Sequence, residues 1–183
     1  MISITNGIAQ NKVSLNLRDG SELNGYGKIN YKDEIIFRKS LDAEKTKYNY
    51  KTVKSIIVYS SDSTQGRSEY KIIKGSASTN IKLLGVVSIG KVNLYQESIA
   101  SRLPMNSGFG NTTYTTLKYY LSKGDSDETI PLREGNTYSK KFKRIANEYF
   151  SDCPELINKI RLKKFKRYGI ESVVGFYNNN CHR

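Results

Sequence analysis

The sequence predicts an α+β fold: an antiparallel β-rich body, a meander or small barrel, followed by a C-terminal unit of three helices. Three observations carry this. Up to residue 135 apolar and polar residues alternate in short runs, the period of a half-buried strand. Gly-containing turn pairs such as Asp19-Gly20 separate those runs. After Gly135 the apolar spacing changes to three and four, that of one helix face. Strands and helices segregated along the chain form the α+β arrangement. The expected organisation is a signal-peptide remnant or disordered N-terminus at 1–10, a β body at 11–135 and a helical unit at 136–183, packed together as one compact domain.

In "KVSLNLRDGSELNGYGKI", Val13, Leu15 and Leu17 alternate with polar residues, Asp19-Gly20 makes the turn, and Leu23 to Ile29 return. Gly25 and Gly27 are expected to mark a bulge or sharp bend there. "EIIFR" (34–38) is a third strand, "YNYKTVKSIIVYS" (48–60) holds a fourth and "SEYKIIKG" (68–75) a fifth. Residues 80–98 hold one or two more, interrupted at Gly85 and Gly90. The stretch 100–113, with Pro104, Gly108 and Gly110, reads as a loop. Residues 114–132 form a hairpin around Lys123-Gly124-Asp125. Phe142, Ile145, Ala146, Tyr149 and Phe150 then line one helix. Ser151 or Asp152 is expected to cap a second, with Pro154 in its first turn and Leu156, Ile157 and Ile160 inward. Ile170, Val173, Val174, Tyr177 and Cys181 line a third.

Composition bounds the function. Fourteen Tyr and six Phe supply core material to a chain of 183 residues that is 37% hydrophobic. No run approaches the ~18–20 apolar residues of a membrane-spanning helix. Thirty Lys and Arg against 17 Asp and Glu leave a net charge of +13. Such a balance attracts nucleic acid, anionic lipid or acidic polysaccharide, although codon use in an AT-rich genome produces the same composition. The opening "MISITNGIAQ" places Gly7 and Ala9 at the −3 and −1 positions that signal peptidase accepts, behind a fragment of apolar run. Export is therefore expected.

The inventory for catalysis is thin, and no enzyme activity or cofactor is expected. The one histidine, His182, is the penultimate residue, where a chain end frays. No G-x-S-x-G, H-E-x-x-H or phosphate-loop motif occurs. Asp125–Glu128 lacks the spacing of a calcium loop. Two Cys and one His fall short of the four ligands of a structural zinc site. Cys153 and Cys181 both fall on apolar helix faces. As a disulfide they would close a loop of 29 residues, contributing about 3–4 kcal/mol on the chain-entropy model. That bridge needs an oxidising compartment; two buried free thiols in a cytoplasmic protein is the other reading.

Two surfaces are candidates for a partner. Residues 140–167 hold ten Lys or Arg against three acids, +7 in 28 residues. Lys140, Lys141, Lys143, Arg144, Arg161, Lys163, Lys164, Lys166 and Arg167 fall between the apolar positions. They form either a patch for phosphates and anionic headgroups or an ordinary solvated helix face. The second candidate is the 100–113 loop, where Leu103, Met105 and Phe109 stand among Gly, Ser and Asn. The partner expected is an anionic surface or a protein. Nucleic acid, bound by a cytoplasmic protein, is the alternative, and a hydrolase with unidentified carboxylates a distant third.

"VSLNLRDGSELNGYGKI…EIIFR" resembles the opening of an Sm-like small barrel. The RNA-contacting D-x-x-x-N loop and Arg-Gly pair of such barrels are absent from "NYKDE" and "SDSTQGRS", so this resemblance implies local shape only. In the C-terminal half, "FKRIANEYFSDCPELINKI" and "IESVVGFYNNNC" resemble a family of uncharacterised exported proteins of Gram-negative bacteria. Their β-rich region precedes an F-x-D-C-P-x-L helix and a terminal V-x-x-Y-N-x-x-C. The resemblance implies periplasmic, cell-envelope or secreted localisation and paired cysteines at Cys153 and Cys181. It implies no activity.

Overall fold

The turn chemistry at the front of the chain produces the first hairpin. The computed structural model describes residues 11–60, 65–75, 80–104, 111–133 and 135–181. In it β1 (Asn11–Leu17) pairs antiparallel with β2 (Glu22–Ile29), Leu15 opposite Leu23. Gly20 takes the left-handed φ of +87° that the turn requires. The Asp19 carboxylate accepts from the Ser21 hydroxyl at 2.6 Å and from its N–H at 2.9 Å. Those two bonds hold Asp19 below the usual carboxylate range.

β3 (Ile35–Arg38) and β4 (Thr46–Tyr48) extend this meander, and β5 (Val53–Tyr59) returns to pair with β1. β4 is an addition to the expected strands; its Tyr48 meets Phe37 edge-on, ring centroids 5.8 Å apart. Gly25 and Gly27 do not form the expected bulge, for β2 keeps its register with β1 from Glu22 to Gly27. They serve close packing instead. A Cβ on Gly25 would stand 2.4 Å from the Arg38 carbonyl and 2.8 Å from the Phe37 ring. The ring occupies the room that the missing side chain leaves.

The remaining strands are β6 (Gln65–Ile73), β7 (Asn80–Ser88), β8 (Val92–Pro104), β9 (Asn111–Lys123) and β10 (Glu128–Arg133). The hydrogen-bonded order is β10-β9-β8-β7-β6-β5-β1-β2-β3-β4, and β10 also pairs parallel with β6. This is the antiparallel-rich sheet expected, with three helices after it. Gly85 lies inside β7 without breaking it, whereas Gly90 does fall between β7 and β8. The expected loop 100–113 is corrected more substantially. β8 and β9 pair without a register shift out to Pro104 opposite Asn111, so Leu103 is a strand residue. The run Thr112, Thr113, Tyr114, Thr115, Thr116 is β-branched and aromatic, which favours a pleated strand over a loop. Pro104 ends its strand, where a missing N–H is tolerated.

The contacts divide the chain into two compact units, Met1–Lys71 with Ile81–Gly85, and Ile72–Asn80 with Val86–Arg183. In the first, Val13, Leu15, Ile35, Phe37, Val53, Ile56 and Tyr70 form the core. The β2–β3 turn is tied to β6 and β7: the Tyr70 hydroxyl donates to the Asp33 carbonyl, and Leu83 N–H donates to the Asp33 carboxylate at 3.4 Å. Burial, with the Asp33 and Glu34 charges behind it, pushes the Tyr70 hydroxyl up to about 12.

In the second unit α1 (Lys140–Tyr149), α2 (Pro154–Arg161) and α3 (Ile170–Asn180) bury Phe142, Ala146, Leu156, Ile160, Val173 and Val174 against Val92, Leu94, Leu121 and Leu132. These are the helices and inward faces that the spacing predicts. Asn178 ties α3 to the sheet as a strand would, donating to the Val92 carbonyl at 2.9 Å and accepting from its N–H at 3.0 Å.

Candidate functional site

The helical unit owes its arrangement to one sulfur pair and one buried aromatic. Cys153 stands at the start of α2 and Cys181 at the end of α3, with Cα atoms 5.4 Å apart and Sγ atoms at the disulfide distance of 2.10 Å. Phe150, fully buried, lies against Tyr177 with ring centroids 4.9 Å apart. The expected cap of α2 is corrected. Cys153 itself is the cap residue, and neither Ser151 nor Asp152 bonds the helix start. The Asp152 carboxylate instead accepts from the Tyr177 hydroxyl at 2.7 Å. Burial first, and that carboxylate second, push Tyr177 up to about 12.

The chain leaves α2 through a Schellman motif. Lys163 N–H donates to the Ile160 carbonyl at 3.1 Å and Lys164 N–H to the Lys159 carbonyl at 3.0 Å. The residue that this motif places in the left-handed region is normally Gly. Here it is Lys163, at φ +55°. The following residues dock onto the segment before α1. Thr137 N–H donates to the Arg167 carbonyl at 2.7 Å, Thr137 Oγ1 donates to the Lys166 carbonyl at 2.8 Å, and the Tyr138 hydroxyl donates to the Phe165 carbonyl at 2.9 Å. Tyr138 is also held between charges, its ring centroid 5.6 Å from Lys163 Nζ and 5.7 Å from the Arg167 guanidinium.

Two basic runs distant in sequence are thereby joined. Lys163, Lys164, Lys166 and Arg167 fold beside Tyr138, two residues before Lys140 and Lys141 at the start of α1. All six are exposed, as are Arg144 and Arg161, while Lys143 is half-buried. Among the described residues none of these cations forms an ion pair with an acid. Two acids of the helical unit are engaged elsewhere: Glu155 pairs with Lys159 at 3.4 Å, and Asp152 accepts from the Tyr177 hydroxyl. Within the loop the two bracketing apolar side chains, Leu162 and Tyr168, are 55% and 62% exposed.

The two neighbouring helices treat charge oppositely. α2 carries Glu155 in its first turn and Lys159 and Arg161 in its last, which complements its dipole. α1 carries no acid in its first turn but Lys140 and Lys141, at the end where the dipole is already positive. Ser139 caps that end, accepting from Phe142 N–H at 3.1 Å. The positive potential there is not one that helix stability selects.

The other sequence candidates are not joined to this site. Leu103 lies in β8, and Met105 and Phe109 are outside the described residues, as are residues 1–10 and His182. Among the described residues no group of three or more His, Cys, Asp or Glu stands where it could hold a metal ion, and no helix is long and apolar enough to cross a membrane. A cleft of about 460 Å³ in the first unit, beside β3, contains Arg38 and Lys39. Glu22 and Glu44 line the same cleft, and Arg38 donates to the Leu41 carbonyl, so it lacks the single sign of the helical surface. The ordered cations around Tyr138 were missed in the sequence as a cluster. The signal available was the run "LKKFKRYG", five cations' worth of charge with Arg161 and no acid. No family model, no curated protein and no solved structure matches the chain.

Proposed function

We propose that this chain is a non-enzymatic protein of the cell envelope or an exported protein, and that it binds an anionic partner through the basic surface of its helical unit. The observation that carries the reading is the 163–167 loop. It carries four exposed cations, of which Lys163 stands on the left-handed turn and, with Arg167, against the Tyr138 ring, and no acid is paired to any of the four among the described residues. The disulfide-distance pair Cys153–Cys181 supports an oxidising compartment. The resemblance of the C-terminal half to exported Gram-negative proteins points the same way.

Retention on heparin tests the binding. Neutralising Lys163, Lys164, Lys166 and Arg167 to Gln should shift elution to clearly lower salt, whereas neutralising the exposed Lys45, Lys47, Lys51 and Lys54 of the first unit should shift it little. Equal shifts in both variants would mean that net charge alone retains the protein. Compartment is tested by thiol titration of natively expressed protein under denaturing, non-reducing conditions. Zero free thiols are expected, and two would return the chain to the cytoplasm and to the nucleic-acid reading.

A further inference from the structure

The loop after α2 combines two features that separate anionic targets from one another. A polyanion such as heparin or nucleic acid offers charge at its surface and needs only cations opposite it. A phospholipid surface offers charge over an apolar layer, and proteins that lie on it present Lys and Arg beside Leu and aromatic side chains. The run from Arg161 to Tyr168 has both. Lys163, Lys164, Lys166 and Arg167 supply the charge. Leu162 and Tyr168, at either end, are 55% and 62% exposed, although the apolar residues Leu156, Ile160, Ile170 and Val173 of the flanking helices are buried. Tyrosine is among the residues that settle at the headgroup level, apolar ring inward and hydroxyl in water. The loop is also tied to the segment before α1, through the three bonds from Thr137 and Tyr138 and the two cations over the Tyr138 ring. An ordered loop loses less conformational entropy on docking.

We infer that the anionic partner is a phospholipid bilayer surface, engaged by residues 161–168 with Lys163, Lys164, Lys166 and Arg167 on the headgroups and Leu162 and Tyr168 in the interface. This rests on the anion-binding reading above and narrows it to one target. The surface is peripheral: it lies on the bilayer and spans nothing.

Co-sedimentation with phosphatidylcholine vesicles, with and without phosphatidylglycerol, tests it on the full chain. Binding is expected only where phosphatidylglycerol is present. Each cation near an anionic leaflet contributes roughly fivefold, so the four-Gln variant should bind at least about a hundredfold more weakly. The pair Leu162→Ser and Tyr168→Ser should lose about tenfold at vesicles while eluting from heparin with the wild type. Both side chains are exposed, and an unchanged melting curve verifies that the fold survives. A second readout needs no loss of function. The chain contains no Trp, so Tyr168→Trp introduces a single tryptophan, excited selectively beyond the tyrosine absorption, whose emission should shift to the blue on phosphatidylglycerol vesicles and stay put on phosphatidylcholine. Heparin retention through the loop without vesicle binding, or without the blue shift, would overturn the lipid assignment and leave anion binding standing. Vesicle binding indifferent to Leu162 and Tyr168, and displaced by oligonucleotide, would overturn it in favour of nucleic acid. Heparin retention unaffected by the four-Gln variant would remove the anion-binding reading itself.

Discussion

Lys163 occupies a backbone position where glycine costs nothing and an L side chain costs about 1 kcal/mol. Nothing in the Schellman motif needs its ammonium, since the motif is made by main-chain bonds. The ammonium is used outside the motif, 5.6 Å from the centroid of the Tyr138 ring. The contact of its ammonium with the Tyr138 ring, ~0.5–1 kcal/mol at an exposed site, offsets part of that strain, so Lys163→Gly should raise the melting temperature by no more than about 2 °C for a chain of this size and should also weaken anion binding. A melting temperature that falls would show that the contact of the Lys163 side chain with Tyr138 outweighs the backbone strain. Tyr177 is the residue whose titration belongs to the fold. Its folded pKa of about 12 lies above the ordinary value of 10.0, because burial and the Asp152 carboxylate disfavour the phenolate. The protonated form is thus favoured by folding; that contribution is complete below about pH 10 and is lost as the pH rises toward 12. Tyr70, Tyr120 and Tyr149 are raised as well, so the comparison needed is with Tyr177→Phe. That variant should lose about 1 kcal/mol at neutral pH, the worth of one hydrogen bond, and its melting temperature should decline less steeply than the wild type's above pH ~10. Parallel declines would show that Tyr177 does not carry the alkaline transition.

At the scale of the element, the helical unit consists of three helices of 10, 8 and 11 residues, each too short to persist alone. Their apolar faces and the Cys153–Cys181 link hold them. The link joins the start of α2 to the end of α3 across a sequence separation of 28. Replacing both cysteines by Ala should destabilise this unit by about 3–4 kcal/mol, read as a lower denaturant midpoint in far-UV circular dichroism. The wild type under reductant should match the double variant, and identical midpoints with and without reductant would show that the link contributes nothing. The inward faces of all three helices were legible in the sequence because a period of 3.6 survives in the spacing of Phe142, Ala146, Leu156, Ile160, Val173 and Val174. The cap of α2 was not legible. Asp152 has the chemistry of a capping residue, and only the arrival of α3 gives its carboxylate a different donor in Tyr177. The long β8–β9 hairpin was obscured for a related reason. Proline and glycine in 104–110 read as a loop, and their influence was extended over flanking threonines that cross-strand pairing recruits into the sheet.

At the scale of the whole molecule, a charge of +13 would draw the protein weakly to any polyanion in dilute salt and says nothing about where. The heparin comparison is built on that distinction, since two variants of equal net charge should separate if binding is local. The periods of two and 3.6, the Asp19-Gly20 turn and the segregation of strands from helices were determined by the sequence alone, because each depends on residues within a few positions of one another. The same holds for the excess of charge in 140–167 and for the placing of Cys153 and Cys181 on inward faces. The parallel pairing of β10 with β6, the role of Gly25 as a seat for Phe37, and the union of Lys163–Arg167 with the start of α1 around Tyr138 were decided only by the tertiary structure. Each is a meeting of residues between about 12 and 56 positions apart in the chain, and no local preference encodes a partner at that distance.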